Sequence, residues 1–372
     1  MQNFHTYHVI GLMSGSSLDG LDIAYCKIET GSNYFFEILC AENFPFSPEL
    51  LQWLKQTRSN TNENYKTQSA AFGKYCGEKV MEFCLKNKIP HVDFIASHGH
   101  TILHAPEKGI TLQLGDGKSI SDSAQKNVIS NFRQADIDAG GQGAPLVPIA
   151  DEFLFPSWHA CLNIGGITNI SYRIKEERIG FDICAANQLL NYFANQWGFA
   201  FDTGGHIAES GKVDPALFSL LNANAYFQKP FPKSLDNSWI KNNLINKIEE
   251  SDISVPDKLA TATEHIAFQI AAVIKEQIQT QNILRSEYKL LITGGGVYNS
   301  FLLKRIKNLS GIHIQLPADN LIQFKEALAM CLMGVLCREK KPNFIPSVTG
   351  AKYAACGGEI ILYSEHEYGF VF

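Results

Sequence analysis

Short apolar runs alternate along this chain with stretches whose apolar residues recur every three or four positions. The runs VDFIAS (92–97), TLQLGD (111–116), KNVISNF (126–132), ACLNIG (160–165), RIGFDI (178–183) and KLLITGG (289–295) have the length and bounding turn residues of strands. Between them, Phe72, Cys76, Val80 and Phe83 fall on one helical face, as do Ile266, Ile270, Val273 and Ile274, and Leu328, Cys331, Leu332, Val335 and Leu336. The clearest helix spans 258–279. Strands interleaved with helices predict an α/β chain.

One pattern occurs twice. Residues 9–28 run apolar strand, Gly/Ser turn, apolar strand, and ACLNIGGITNISYRI (160–174) does the same about 150 positions later. Two hairpins of one design predict duplicated halves, with glycine tips able to face each other across a cleft and clamp a polyphosphate.

Bulk properties narrow the partners. A chain of 372 residues exceeds the size at which one core stops growing, so two domains are expected. Hydrophobic residues at 45% against 19% charged give a globular balance, and a net charge of -5 provides no basic field for nucleic acid. Nine cysteines without a CxxC pair read as buried thiols of a reducing compartment. No basic leader precedes the first strand, and no run approaches the roughly 18 apolar residues of a membrane span. The expectation is a cytoplasmic protein without membrane or nucleic-acid partners.

The chemistry concentrates in a few segments. In MSGSSLDGLD, Gly15 and Gly20 allow close backbone approach while Ser14, Ser16 and Ser17 set hydroxyls beside peptide N–H groups, a composition suited to an anion. Asp19 and Asp22 there would repel phosphate, and make chemical sense as holders of Mg²⁺, directly or through water. An ordinary Ser- and Asp-rich turn explains the same residues. TGGGVYNS (293–300) places Gly294, Gly295 and Gly296 between a strand and a helix starting near Asn299, where a flat ring or phosphate can lie against backbone; a tight structural turn is the rival. Neither GxxxxGK[ST] nor GxGxxG occurs. Asp182 ends the strand RIGFDI just before a helix at Asn187, a place for a general base or for a helix cap. His98, His100 and His104 raise zinc hydrolysis as an alternative, although Ile102 and Leu103 stand where a further acid ligand would be needed. Arg133 could hold a carboxylate or sugar oxygens, or simply pair with Asp136, and Glu326 lies in the first turn of a helix.

Taken in order, MSGSSLDGLD, SHGHTILHAP, TLQLGD, FRQADIDAGGQGAPLVP, LNIGGITNIS, GFD, AESGKV, PKS, TGGGVYNS, KEALA and PSVTGA resemble the motif series of the anhydro-N-acetylmuramic acid kinases, from Ile10 to Ala351. The resemblance implies the actin-like ATPase and sugar kinase fold, two ribonuclease-H-like α/β domains around a nucleotide cleft. The first domain, with the phosphate hairpin, is expected over 1–127 plus 342–372, and the second, with the catalytic Asp and the nucleoside-side turn, over 128–341.

The implied activity is ATP-dependent cleavage of the 1,6-anhydro ring by water with phosphorylation of O6, giving N-acetylmuramic acid 6-phosphate in cell-wall sugar recycling. By resemblance, Gly15, Ser16, Ser17, Leu18, Asp19, Gly20, Leu21 and Asp22 form the ATP phosphate loop, and Asp19 and Asp22 hold Mg²⁺ through water. Gly165 and Gly166 form the second phosphate hairpin, and Gly294, Gly295, Gly296 and Asn299 the nucleoside-side turn. Asp182 is the base, while His98, Arg133 and Glu326 fall on the sugar side. A homodimer is implied as well. Two segments depart from the family form: ICAAN follows Asp182 in place of TGPGN, and PKSLDNSW replaces PKSTGRE. These departures predict a different loop beside the base and leave a related amino or anhydro sugar as the alternative substrate.

Overall fold

The computed structural model describes residues 4–15, 18–57 and 64–364. Two compact units divide the chain, Met1–Phe155 with Phe324–Phe372, and Pro156–Gln323. In the first unit, β1 (His5–Ser14), β2 (Gly20–Thr30) and β3 (Phe35–Pro45) form an antiparallel meander. β4 (Phe94–Ala105) pairs with β1 in parallel and carries β5 (Ile110–Leu114) at its far end. β6 (Val128–Ser130) continues the sheet in parallel, and β11 (Glu359–Ile361) closes that edge. The order is β11-β6-β4-β1-β2-β3.

The second unit repeats the plan on a smaller scale. β7 (Ala160–Ile164), β8 (Ile167–Ile174) and β9 (Glu177–Ala185) form the meander, and β10 (Leu290–Thr293) pairs with β7 in parallel, in the order β10-β7-β8-β9. An antiparallel meander whose first strand also accepts a later parallel strand is the ribonuclease-H-like arrangement. The repeated hairpin seen in the sequence is the first half of each meander. The sequence-predicted strands are all present, and the clearest helix extends to Val255–Thr280, capped by the Ser254 hydroxyl and begun with Pro256.

The unit boundaries fall away from the expected 127/128 and 341/342. β6 belongs to the first sheet because Val128 pairs with Ile95 and Ile129 with Ala96. Most of the helix Asp319–Arg338 belongs there too: it is broken at Phe324 (φ -112°, ψ 18°), where the first unit resumes, and it continues beneath β1 and β2. By length and composition this helix could cross a membrane, but most of it is buried in the protein. Its approach is so close that a Cβ on Gly11 would lie 2.8 Å from Cys331 Sγ and collide with the Ala327 carbonyl. The Cys331 thiol in turn reaches the carbonyls of Val9 and Ala24 at 3.6 and 3.8 Å.

Replacing Gly11 with Val should therefore destabilise the protein by about 1–3 kcal/mol, because backbone rather than a movable side chain blocks the new methyls. Urea denaturation checks this, and an unchanged midpoint would contradict the packing described.

Candidate functional site

The candidate residues gather in two groups, one in each unit. In the first unit, β1 ends at Ser14, whose hydroxyl shares a hydrogen bond of 3.0 Å with His100 Nδ1 on the neighbouring parallel strand. The tip between β1 and β2 follows, with Leu18 in the left-handed region (φ 59°), a conformation costly for a branched residue and held here by the hairpin. Ser16 and Ser17 lie outside the described residues. Leu21 is a core residue rather than a surface one. Asp19 is exposed, and Asp22 is half-buried and accepts a hydrogen bond from Asn43 Nδ2 at 2.8 Å. Burial, with the negative charges of Asp19 and Glu326 nearby, pushes the Asp22 carboxyl up to about 6. Three carboxylates thus share one field.

Arg133 and His98 are joined. Arg133 Nε donates to His98 Nε2 at 2.8 Å, and Nη1 donates to the Gly143 carbonyl at 2.6 Å. Since His98 Nε2 accepts, its Nδ1 carries the proton and donates to the Gly99 carbonyl at 2.9 Å. Burial and the adjacent guanidinium depress His98 to about 3, so it works as a neutral acceptor. Arg133 does not pair with Asp136. That buried carboxylate instead accepts from Gly143 N and Thr349 Oγ1, both at 2.5 Å, and so ties the GGQG turn to the PSVTG segment. Arg133 Nη2 donates to no protein group among the described residues. Glu326 likewise accepts no hydrogen bond among them, and burial raises its pKa despite Lys325 and Arg133 nearby. An unfilled guanidinium edge and an unfilled carboxylate in one electrostatic neighbourhood suit a polar ligand.

The histidine cluster disperses onto separate partners: His98 on Arg133, His100 on Ser14, and His104 on Thr111 at 3.2 Å. Among the described residues no group of His, Cys, Asp and Glu could hold a metal ion by itself. The zinc alternative loses its geometric basis.

In the second unit the tip between β7 and β8 is fastened to the helix Asn187–Gln196. The N–H groups of Ala186, Asn187 and Gln188 reach the carbonyls of Gly165 and Gly166 at 2.9, 3.0 and 3.2 Å. The peptide N–H groups of Gly165 and Gly166 donate to no protein acceptor among the described residues, and Gly166 is exposed. Beside this tip lies the turn after β10. Gly294 has φ +87°, and a Cβ there would sit 2.5 Å from Asn163 Oδ1 and 2.7 Å from the Ile164 carbonyl. Only glycine lets the turn press against the hairpin this closely. Gly295 is exposed. Asn299 serves as the helix cap of Ser300–Ser310, its Oδ1 accepting from Leu302 N at 2.9 Å.

Asp182 sits on β9 immediately before a bulge, where the register shifts so that Asn169 faces Asp182 and Thr168 faces Cys184. Its Oδ2 accepts from Leu235 N at 2.9 Å, and its Oδ1 accepts nothing among the described residues. Burial raises the carboxyl's pKa, partly offset by the Leu235 N–H. Residues after Asp182 form no new loop. β9 continues to Ala185, and Cys184, Ala185 and Ala186 are fully buried. What surrounds Asp182 was not legible in the sequence: Tyr226 OH donates to its carbonyl at 2.7 Å, and the Asp182 N–H reaches the Lys233 carbonyl at 3.1 Å. The PKS motif was visible, but nothing local linked it to a residue some fifty positions earlier.

A ribonuclease-H-like sheet pair carrying glycine tips and unfilled polar groups is the framework of a sugar kinase, a phosphotransferase that uses ATP and an alcohol acceptor. The family model described as anhydro-N-acetylmuramic acid kinase matches residues 7–363. The protein of that name from Francisella tularensis subsp. novicida is 33% identical over 95% of this chain and 98% of its own. Its counterpart from Pseudomonas syringae pv. syringae is 33% identical over 93% and 96%. Among solved structures, an activator of 2-hydroxyisocaproyl-CoA dehydratase from Clostridium difficile is loosely similar, with a TM-score of 0.42 and 12% identity over 87% of this chain and 93% of that one. The chain belongs to the anhydro-N-acetylmuramic acid kinase family.

The neutral buried His98 has a consequence for stability. Its folded pKa of about 3 lies below the ordinary 6.5, so its stabilising share is complete above pH 6.5 and is lost as the unfolded chain, but not the folded one, takes up the proton at lower pH. Exchanging His98 for Gln should flatten the fall in stability between pH 6 and pH 4 by up to about one proton's worth. Denaturation at several pH values reads this, and parallel curves for the two proteins would contradict it.

Proposed function

We propose that the chain opens the anhydro bond of 1,6-anhydro-N-acetylmuramic acid with water and phosphorylates O6 from ATP, giving N-acetylmuramic acid 6-phosphate. Asp182 supports this reading most strongly: a half-buried carboxylate with one oxygen fixed by Leu235 N, the other unfilled, and a raised proton affinity. Such a group takes a proton from water attacking the anomeric carbon, a contribution of roughly 10²- to 10⁴-fold in rate. The bond from the anomeric carbon to the bridging oxygen breaks, its electron pair stays on O6, and O6 attacks the γ-phosphorus while ADP leaves. That second step needs positioning more than covalent help.

On this reading Arg133 and Glu326 hold polar groups of the sugar, with His98 keeping Arg133 in place. The free N–H groups of Gly165 and Gly166 and the tip between β1 and β2 hold phosphates, and Gly294–Gly296 lie against the nucleoside. Asn299 shapes that turn as a helix cap. Asp19 and Asp22 fit Mg²⁺ through water, since their mutual repulsion favours a cation, which when bound would neutralise phosphate charge. A cytoplasmic homodimer acting in cell-wall sugar recycling completes the proposal. A related amino or anhydro sugar is the second reading, supported by the altered residues of PKSLDNSW after Lys233.

Incubation with ATP, Mg²⁺ and the anhydro sugar should yield a product heavier by one phosphate and one water; phosphate alone would mean simple transfer to a free hydroxyl. Asp182→Asn should lose at least about 10²-fold in kcat while ATP affinity stays nearly intact, and full turnover would remove Asp182 from the role of base.

A further inference from the structure

Lys233 is a cation woven into the peptide around Asp182, and it does not behave as a counter-ion. Half-buried, it closes no ion pair among the described residues. Its Nζ donates to the carbonyls of Tyr226 and Phe227, both at 3.4 Å, and lies 5.0 Å from the centre of the Tyr226 ring and 5.5 Å from that of Phe181. Both rings are themselves buried. Cation–π contact and carbonyl hydrogen bonds keep the charge satisfied without a carboxylate.

The placement has a chemical sense. An ammonium paired directly with Asp182 would hold the carboxyl's pKa down by one to three units, roughly, and weaken it as a base. Parked on the rings, the same side chain anchors the segment without that penalty. Lys233 C=O accepts from Asp182 N at 3.1 Å, and two residues on, Leu235 N donates to Asp182 Oδ2 at 2.9 Å. Tyr226 closes the circuit, its ring beneath the ammonium and its hydroxyl on the Asp182 carbonyl at 2.7 Å.

We propose that Lys233 is a positioning residue for Asp182: by seating its ammonium on Tyr226, Phe181 and the two carbonyls, it fixes the peptide from 233 to 235 that grips the aspartate at its backbone and at one carboxylate oxygen. The link to turnover rests on Asp182 being the base. The titratable groups about Asp182 are Lys233, Tyr226 and Cys184, with Glu276 acting on Lys233 from the helix Val255–Thr280. Tyr226 and Cys184 are both raised by burial and stay neutral, so the Leu235 N–H is the hydrogen-bond donor that holds the Asp182 pKa down.

The test compares Lys233→Met, which keeps the stem and loses the charge, Lys233→Arg, which keeps the ring contacts, and Tyr226→Phe, which loses only the hydroxyl. Carbon-13 carboxyl NMR, with the Asp182 signal assigned by its absence in Asp182→Asn, reads the grip directly. Loosening Leu235 N should move the Asp182 titration to higher pH in Lys233→Met and leave it near the wild-type position in Lys233→Arg. In the kinase assay with ATP, Mg²⁺ and the anhydro sugar, Lys233→Met should lower kcat by about 10- to 100-fold with the KM for ATP within about twofold. Its acidic limb should shift upward together with the NMR titration. Tyr226→Phe should show the same signs more weakly. An Asp182 titration unmoved in both Lys233→Met and Tyr226→Phe would overturn the proposal, as would a lower kcat with an unshifted limb. If Asp182→Asn keeps turnover, the reading of Asp182 as base fails, while the NMR titration still decides whether Lys233 positions it.

Discussion

Parallel pairing of a late strand with the first strand of each meander sets each glycine tip beside its neighbouring strand. Because β4 runs alongside β1 in the same direction, the carboxyl end of β1 at Ser14 meets His100 midway along β4. β10 and β7 pair in parallel in the second unit, so the turn at Gly294 rises beside the tip at Gly165 and Gly166. Open α/β sheets keep ligands at such carboxyl ends. Glycine is forced at Gly294 by this pairing, since its φ is positive and a Cβ there would run into the Ile164 carbonyl as well as the Asn163 side-chain oxygen.

Electrostatics then differ between the two groups. In the first unit, three carboxylates and one arginine stand close enough to perturb one another, and Asp22 is pushed up to about 6. Around Asp182 the environment is quieter, with one peptide donor, buried aromatics and a lysine whose charge is directed elsewhere. A carboxylate kept partly out of water and away from cations retains its proton affinity, which is what general base chemistry requires.

Much of this was legible in the sequence. Periodicity gave the strands and long helices because both signals are local, and the hairpin echo gave the duplicated plan because each tip must be glycine-rich to turn. The motifs marked Asp182, Arg133 and Glu326 by type and order. What stayed hidden was partnership across distance. Pairing of Arg133 with Asp136, three apart, was one of two open readings, yet Arg133 donates to His98 and Asp136 accepts from Thr349. Loss of TGPGN after Asp182 suggested a new loop, whereas Ile183, Cys184 and Ala185 simply prolong a buried strand, since small apolar residues fit where β9 meets the core. The boundaries moved for the same reason, because the helix beneath β1 is assigned by packing that no window of sequence contains.

On the proposed function, water attacks the anomeric carbon while the bridging oxygen stays on C6 and receives the phosphate. Running the reaction in heavy-oxygen water and fragmenting the product at early times tests it directly. The label should appear on the anomeric carbon and be absent from the phosphate ester oxygen. Label in the ester oxygen, or an unlabelled anomeric carbon in a ring-opened product, would contradict the mechanism.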